Sequence, residues 1–208
     1  MTKILPCIYR SQRDNVLRPG SSCNVTAAVM VLEASGHPPS EIASLPAGAQ
    51  PEDLLTQIAE SKASYDHMRL TCPQFYDMAG NPAVHPAEAP FMLDWIVAQA
   101  YGRYLLRYSE NITFGKMQDQ IDAGRAVLLH GLLTPEGHYV AMVGYDALDD
   151  VGGKIGAVTA LRLDDSWGDW QTGYTSRNGE HTTLPLNRAT ELLRPMGSVI
   201  KSGHFVIA

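Results

Sequence analysis

Gly137-His138-Tyr139-Val140-Ala141-Met142-Val143-Gly144-Tyr145 is the stretch that decides the fold class of this chain. Valine and tyrosine dominate an apolar run of strand length, which predicts a buried β-strand. Upstream, Ala126-Val127-Leu128-Leu129-His130-Gly131-Leu132 has the same character. Downstream, Ala157-Val158-Thr159-Ala160-Leu161-Arg162-Leu163 repeats it, and Gly, Pro and Asp separate the runs as turns separate consecutive strands. A short helix over Asn187 to Leu193 and a closing strand over His204 to Ile207 complete the back of the chain.

The front half reads differently. Ser21 or Ser22 can cap a helix from Cys23 to Ala34, in which Val25, Val29 and Leu32 recur near helical spacing and which Gly36 terminates. Further helices are predicted over Pro51 to Lys62, where proline takes a first-turn position, over Pro86 to Tyr101, and over Phe114 to Ala123. A strand over Ile4 to Tyr9 precedes them, followed by a polar loop with Gln12, Asp14 and Asn15. The proline-rich stretches 36–51 and 72–90 read as long loops of the kind that line clefts. The class is α+β. A single domain over 1–208 is predicted, with a helical lobe over about 1–125 and a β-rich lobe over about 126–208.

Composition bounds the function. With 208 residues, 45% of them hydrophobic and 18% charged, the chain can bury a sizeable core, so global disorder is excluded. A net charge of −6 without any run of lysine or arginine argues against nucleic acid or membrane as partners. Cys7, Cys23 and Cys72 cannot all pair within one chain, and none belongs to a CxxC or Cys/His ligand pattern, so neither a metal nor a cofactor is expected. No stretch approaches the ~20 apolar residues of a membrane span, and the first residues are too short on apolar character for a signal peptide; a cytoplasmic chain is expected.

Three segments carry chemistry. Cys23 stands at a helix entrance, where the positive end of the helix and a neighbouring imidazolium favour a thiolate over a thiol. Cys7 and Cys72 lack that context and read as core or loop thiols. His138, at a strand start, can take the proton of Cys23 as general base and return it to a leaving amine. His130 and His204 compete with it, His204 in a Gly-His-Phe-Val context that imitates Gly-His-Tyr-Val. An aspartate can orient the imidazole through its other nitrogen, and Asp164 and Asp165 are rivals because neighbours on a strand point to opposite faces. Trp167 can shield that hydrogen bond from water. Calcium is the alternative use of the acidic residues at 164–169, whose spacing lacks the EF-hand pattern.

In this order, Cys23 at a helix entrance, Gly137-His138-Tyr139-Val140 and Asp165-Ser166-Trp167-Gly168 resemble the papain-like cysteine peptidases, above all the branch that includes the bacteriocin-leader peptidases. The resemblance implies a two-lobed fold with the cysteine helix facing the histidine strand across a cleft. It selects Asp165, in place of the family's Asn in Asn-Ser-Trp-Gly, as the group that orients His138. It also matches Ser11-Gln12-Arg13-Asp14-Asn15 to the segment with the oxyanion-hole glutamine, so Gln12 and the Cys23 backbone N–H become the oxyanion donors. Gln12 precedes Cys23 by eleven positions, so Val16 to Ser22 must loop out, and Cys23-Asn24-Val25-Thr26 departs from the family's usual Cys-Gly-Pro turn. The implied activity is hydrolysis of peptide or amide bonds through a thioester, on a protein, a peptide, or the stem peptides of peptidoglycan as in a phage-type lysin, which would be released from the cell. An acyltransferase with the same triad and a non-catalytic binding protein on the same fold are the alternatives.

Overall fold

A computed structural model describes residues 1–110, 112–148, 157–193 and 202–207. Among them lie six α-helices and one antiparallel sheet of seven strands. The strands are β1 (Thr2–Ile4), β2 (Leu106–Ser109), β3 (Val127–Gly131), β4 (His138–Ala147), β5 (Val158–Asp164), β6 (Thr182–Pro185) and β7 (Ser202–Val206). They order as β2-β7-β3-β4-β5-β6, with β1 also on β4. The α+β class is the one the sequence predicts.

β4 is the spine of the sheet. One of its edges pairs with β3 over His138 to Met142 and then with β1 over Gly144 to Asp146, while the other carries β5. At Gly144 the backbones of β1 and β4 come so close that a Cβ would sit 2.2 Å from the Lys3 carbonyl oxygen, which leaves glycine as the residue that fits. β1 ends at Ile4, short of the strand expected over Ile4 to Tyr9. Leu5 still donates to Val143 O, but Pro6 has no N–H to continue the ladder. The following residues run along a helix instead, where the Cys7 thiol reaches Met30 O.

That helix, α1 (Cys23–Ala34), has the predicted bounds. Every residue from Asn24 to Leu32 is buried, so the helix is enclosed on all faces rather than lying on the sheet with one apolar stripe. It packs against β4, β3, the helix α2 (Pro51–Ala59) and the 3₁₀ turn Pro86–Glu88. Each enclosed Val, Leu or Met contributes about 1.5–3 kcal/mol of transfer free energy. Ser22 holds the cap position but its hydroxyl makes no capping bond. Asn15 organises this corner: its Nδ2 donates to Ser22 Oγ and Thr26 Oγ1, at 2.8 and 2.9 Å.

Two predicted helices divide. The one expected over Pro51 to Lys62 ends at Ala59, and α3 (Lys62–Thr71) starts afresh after Ser61, whose hydroxyl accepts from Ser64 N. The one expected from Pro86 stops after Glu88 and resumes as α4 (Pro90–Tyr101), because Pro90 disfavours helical backbone at Ala89, which is extended. Helices α5 (Phe114–Asp122) and α6 (Leu186–Leu192) lie within a residue of expectation. β2 and β6 were not foreseen, and β1 and β2 carry the front half of the chain into the sheet.

Candidate active site

The entrance of α1 and the start of β4 meet at a cleft of about 570 Å³ whose walls include Gln12, Cys23, Glu88, His130, Glu136, His138 and Trp167. His138 follows a turn closed by Gly137 N to Thr134 O and Thr134 Oγ1 to Gly137 O. Gly137 has φ +87°, and a Cβ there would lie 2.9 Å from Nε2 of His130, so glycine both makes the turn and leaves room for that ring.

His138 is 4% exposed and Asp165 fully buried. The His138 Nε2 to Asp165 Oδ1 distance is 2.7 Å, which leaves Nδ1 as the nitrogen able to exchange a proton with the Cys23 sulfur. Burial opposes the charge on His138, but the hydrogen bond to Asp165 and the interaction with Cys23 outweigh it and push the imidazole up to about 10. The ring is therefore an imidazolium across the neutral range.

Asp165 is held from several directions. Oδ1 also accepts from Trp167 N at 2.9 Å, and Oδ2 lies 3.2 Å from the Tyr174 hydroxyl. Its carbonyl accepts from Tyr9 at 3.0 Å, and the same phenol oxygen accepts from Gly179 N. Asp164 turns the other way: its Oδ1 takes the backbone N–H and Nδ1 of His181, at 2.7 and 2.9 Å. The alternation along a strand end thus gives each aspartate its own histidine. Trp167 lines the cleft beside His138, with the Arg13 guanidinium 3.8 Å from its ring centre.

Gln12 is 2% exposed and reaches the same cleft. Its Oε1 accepts from Ser166 Oγ at 2.7 Å and its Nε2 donates to Pro19 O at 3.1 Å, which fixes the amide orientation and leaves one N–H of the carboxamide uncommitted. The loop between Gln12 and Cys23 bulges out as the spacing requires. Asp53 accepts from Val16 N and Leu17 N, and Asn15 ties its base to α1. The Cys23 N–H, in the first turn of α1, has no acceptor within the helix.

The remaining histidine and cysteine candidates lie elsewhere or differ in setting. His130 lines the cleft and stacks on Tyr139 at 4.5 Å, and burial followed by the nearby His138 charge lowers its basicity. His204 is fully buried, 3.4 Å from Asp94. Cys72 is fully buried, and burial together with the Asp164 charge pushes the Cys7 thiol well above its ordinary range. No group of three or more His, Cys, Asp or Glu residues able to hold a metal ion occurs among the described residues.

Sequence reasoning left Ser166, Asn15, Tyr9 and Tyr174 without a role. Ser166 sits inside the motif that selected Asp165, and that position is the signal that could have revealed it.

The model of the Peptidase_C39 like family matches residues 4–183, a span containing the cleft. The chain belongs to this family. Among solved structures, a C39-like peptidase from Bacillus anthracis, so described, superposes with a TM-score of 0.55 at 13% identity, covering 100% of this chain and 98% of that one. At such identity the likeness speaks for the fold, a papain-like arrangement of helices on an antiparallel sheet. No curated protein matches the sequence. Membership in a C39-like family supports a peptidase of the cysteine class, and no helix among the described residues is long and apolar enough to cross a membrane.

Proposed function

We propose that this C39-like chain cleaves peptide or amide bonds through a thioester on Cys23, with His138 as proton carrier, Asp165 as its orienting group and Gln12 as an oxyanion donor. The observation that supports this best is the buried 2.7 Å pairing of His138 with Asp165 in the cleft that also holds Cys23. The sulfur attacks the carbonyl carbon, and the oxyanion takes hydrogen bonds from the Cys23 N–H and the uncommitted Gln12 N–H. The imidazolium gives its proton to the departing amine. His138, now neutral, then takes a proton from water, whose oxygen displaces sulfur and releases the acid.

Gln12→Ala is expected to lower kcat by about 10²–10³, the cost of one oxyanion donor, with KM little changed. Ser166→Ala, which frees the carboxamide to rotate, should show part of the same loss. An unchanged kcat in Gln12→Ala would remove Gln12 from the mechanism.

The substrate class we infer is a peptide, a protein segment or a peptidoglycan stem peptide. Glu88 and Glu136 line the cleft and, among the described residues, no lysine or arginine lines it; Glu88 is ion-paired with Arg18 at 3.5 Å, which leaves the selectivity to Glu136. Peptides with a basic residue next to the scissile bond should therefore be cut faster than otherwise identical peptides with glutamate there. Mass spectrometry of products from a peptide library and from purified cell wall tests both statements: cleavage confined to cell wall assigns the stem peptides, cleavage confined to the library assigns linear peptides, and no cleavage of either defeats the proposal.

A further inference from the structure

We propose that Tyr174 is a positioning residue that fixes Asp165 through the carboxylate oxygen His138 does not use. The inference rests on the reading of Asp165 as the orienting group. Oδ1 of Asp165 is occupied by His138 Nε2 and Trp167 N, whereas the donor to Oδ2 is the Tyr174 hydroxyl at 3.2 Å. Asp165 is fully buried, so a carboxylate that lost this donor could satisfy Oδ2 only by turning about its Cβ–Cγ bond. Turning takes Oδ1 away from the imidazole.

The backbone points the same way. Tyr174 has φ +65° directly after Gly173 at +62°, two left-handed residues in succession. That region disfavours any L-residue with a Cβ, and tyrosine more than asparagine or glycine. A position whose backbone suits glycine instead carries a large side chain, and strain of this kind is tolerated where a side chain is required. The hydrogen bond from Tyr174 N to Asp169 O holds the conformation. The ring stands edge-on to His138, with centroids 6.3 Å apart and planes at 79°, and the phenol oxygen also lies 3.3 Å from Leu133 O in the β3–β4 turn. With one proton between two acceptors, the phenol links that turn to the carboxylate. Burial, followed by the Asp165 charge, holds the phenol in its protonated, donating form far above the ordinary tyrosine range.

The test compares Tyr174→Phe, Tyr174→Gly and Asp165→Ala in the full chain, reading kcat and KM on a cleaved peptide against pH, and the thermal midpoint. Tyr174→Phe is expected to move the alkaline limb of the kcat profile downward, as Asp165→Ala does but by less. It should cost roughly tenfold in kcat with KM unchanged, because one hydrogen bond to a charged group is lost and Tyr174 does not line the cleft. Tyr174→Gly should show the same kinetic loss with a thermal midpoint no lower than that of Tyr174→Phe, since glycine relieves the left-handed backbone. A limb that stays in place or rises in Tyr174→Phe while Asp165→Ala lowers it overturns the role of Tyr174 alone. A limb unmoved in Asp165→Ala overturns the reading beneath it. Activity that falls only in step with the thermal midpoint in both Tyr174 variants also overturns the proposal, leaving tyrosine as packing.

Discussion

Cys23→Ala is expected to reduce peptide cleavage by at least about 10⁴-fold while the folded state survives, because the proposed nucleophile has no second thiol to replace it within the cleft. The side chain is partly exposed at the first position of α1, so its removal opens no enclosed cavity. The helix behind it is locked independently, by Asn15 on Ser22 and Thr26 and by the enclosed run from Asn24 to Leu32. Circular dichroism and thermal melting should therefore match the unaltered chain while turnover disappears. Retained turnover removes the thioester from the account. A collapse of the fold would assign Cys23 to the core.

The second large effect concerns the aspartate. Asp165→Ala should lower kcat by roughly 10²–10⁴-fold and shift the alkaline limb of activity downward. The sign follows from the balance at His138. Burial pushes its imidazole down, and the Asp165 hydrogen bond followed by Cys23 pushes it up to about 10. With Asp165 present, the proton needed by the leaving amine is retained until the pH rises through about 10. Without it, the main raising contribution is lost and burial remains, so the limb falls toward or below the ordinary histidine value of about 6.5. The same balance sets a stability window. The contribution from this raised group is complete below about 6.5 and is lost as pH climbs toward 10. Asp164→Ala, which frees His181 rather than His138, should cost far less activity, and the reverse order would move the orienting role to Asp164.

How far the sequence anticipated this geometry depended on the range of the forces involved. α1 was legible to the residue because its limits are local: a serine before Cys23, Gly36 just beyond Ala34, and a mostly apolar run between them. That the helix is enclosed on every side was less evident, since the side chain of Asn24 is satisfied by a partner far along the chain, Ala87 O. The division after Ala59 is signalled by Ser61, whose hydroxyl accepts from Ser64 N, a local cue that competes with the continuous helical pattern from Pro51 to Lys62. β2 and β6, each of four residues, are defined by the ladders they join, β2 to β7 and β6 to β5, and carry too little pattern of their own.

The site divides in the same way. Cys23, His138 and Asp165 could be named because each lies in a short motif, and the structure brings His138 and Asp165 to 2.7 Å in the cleft with Cys23. Gln12 was placed by resemblance, and its neighbours show what spacing could not: the loop to Cys23 is tethered by Asp53 and Asn15, and the carboxamide by Ser166. Tyr174 carries no motif, and its hydroxyl reaches Asp165 only through a left-handed turn that composition does not announce.

The most direct measurement of the central claim, a sulfur activated by the imidazolium of His138, is mass-spectrometric mapping of iodoacetamide alkylation at pH 6 in the unaltered chain and in His138→Ala. Cys23 is expected to be labelled well ahead of the buried Cys72 and of Cys7, whose thiol burial holds protonated, and His138→Ala is expected to abolish this lead. Labelling of Cys7 or Cys72 first, or a Cys23 rate indifferent to the loss of His138, would contradict it.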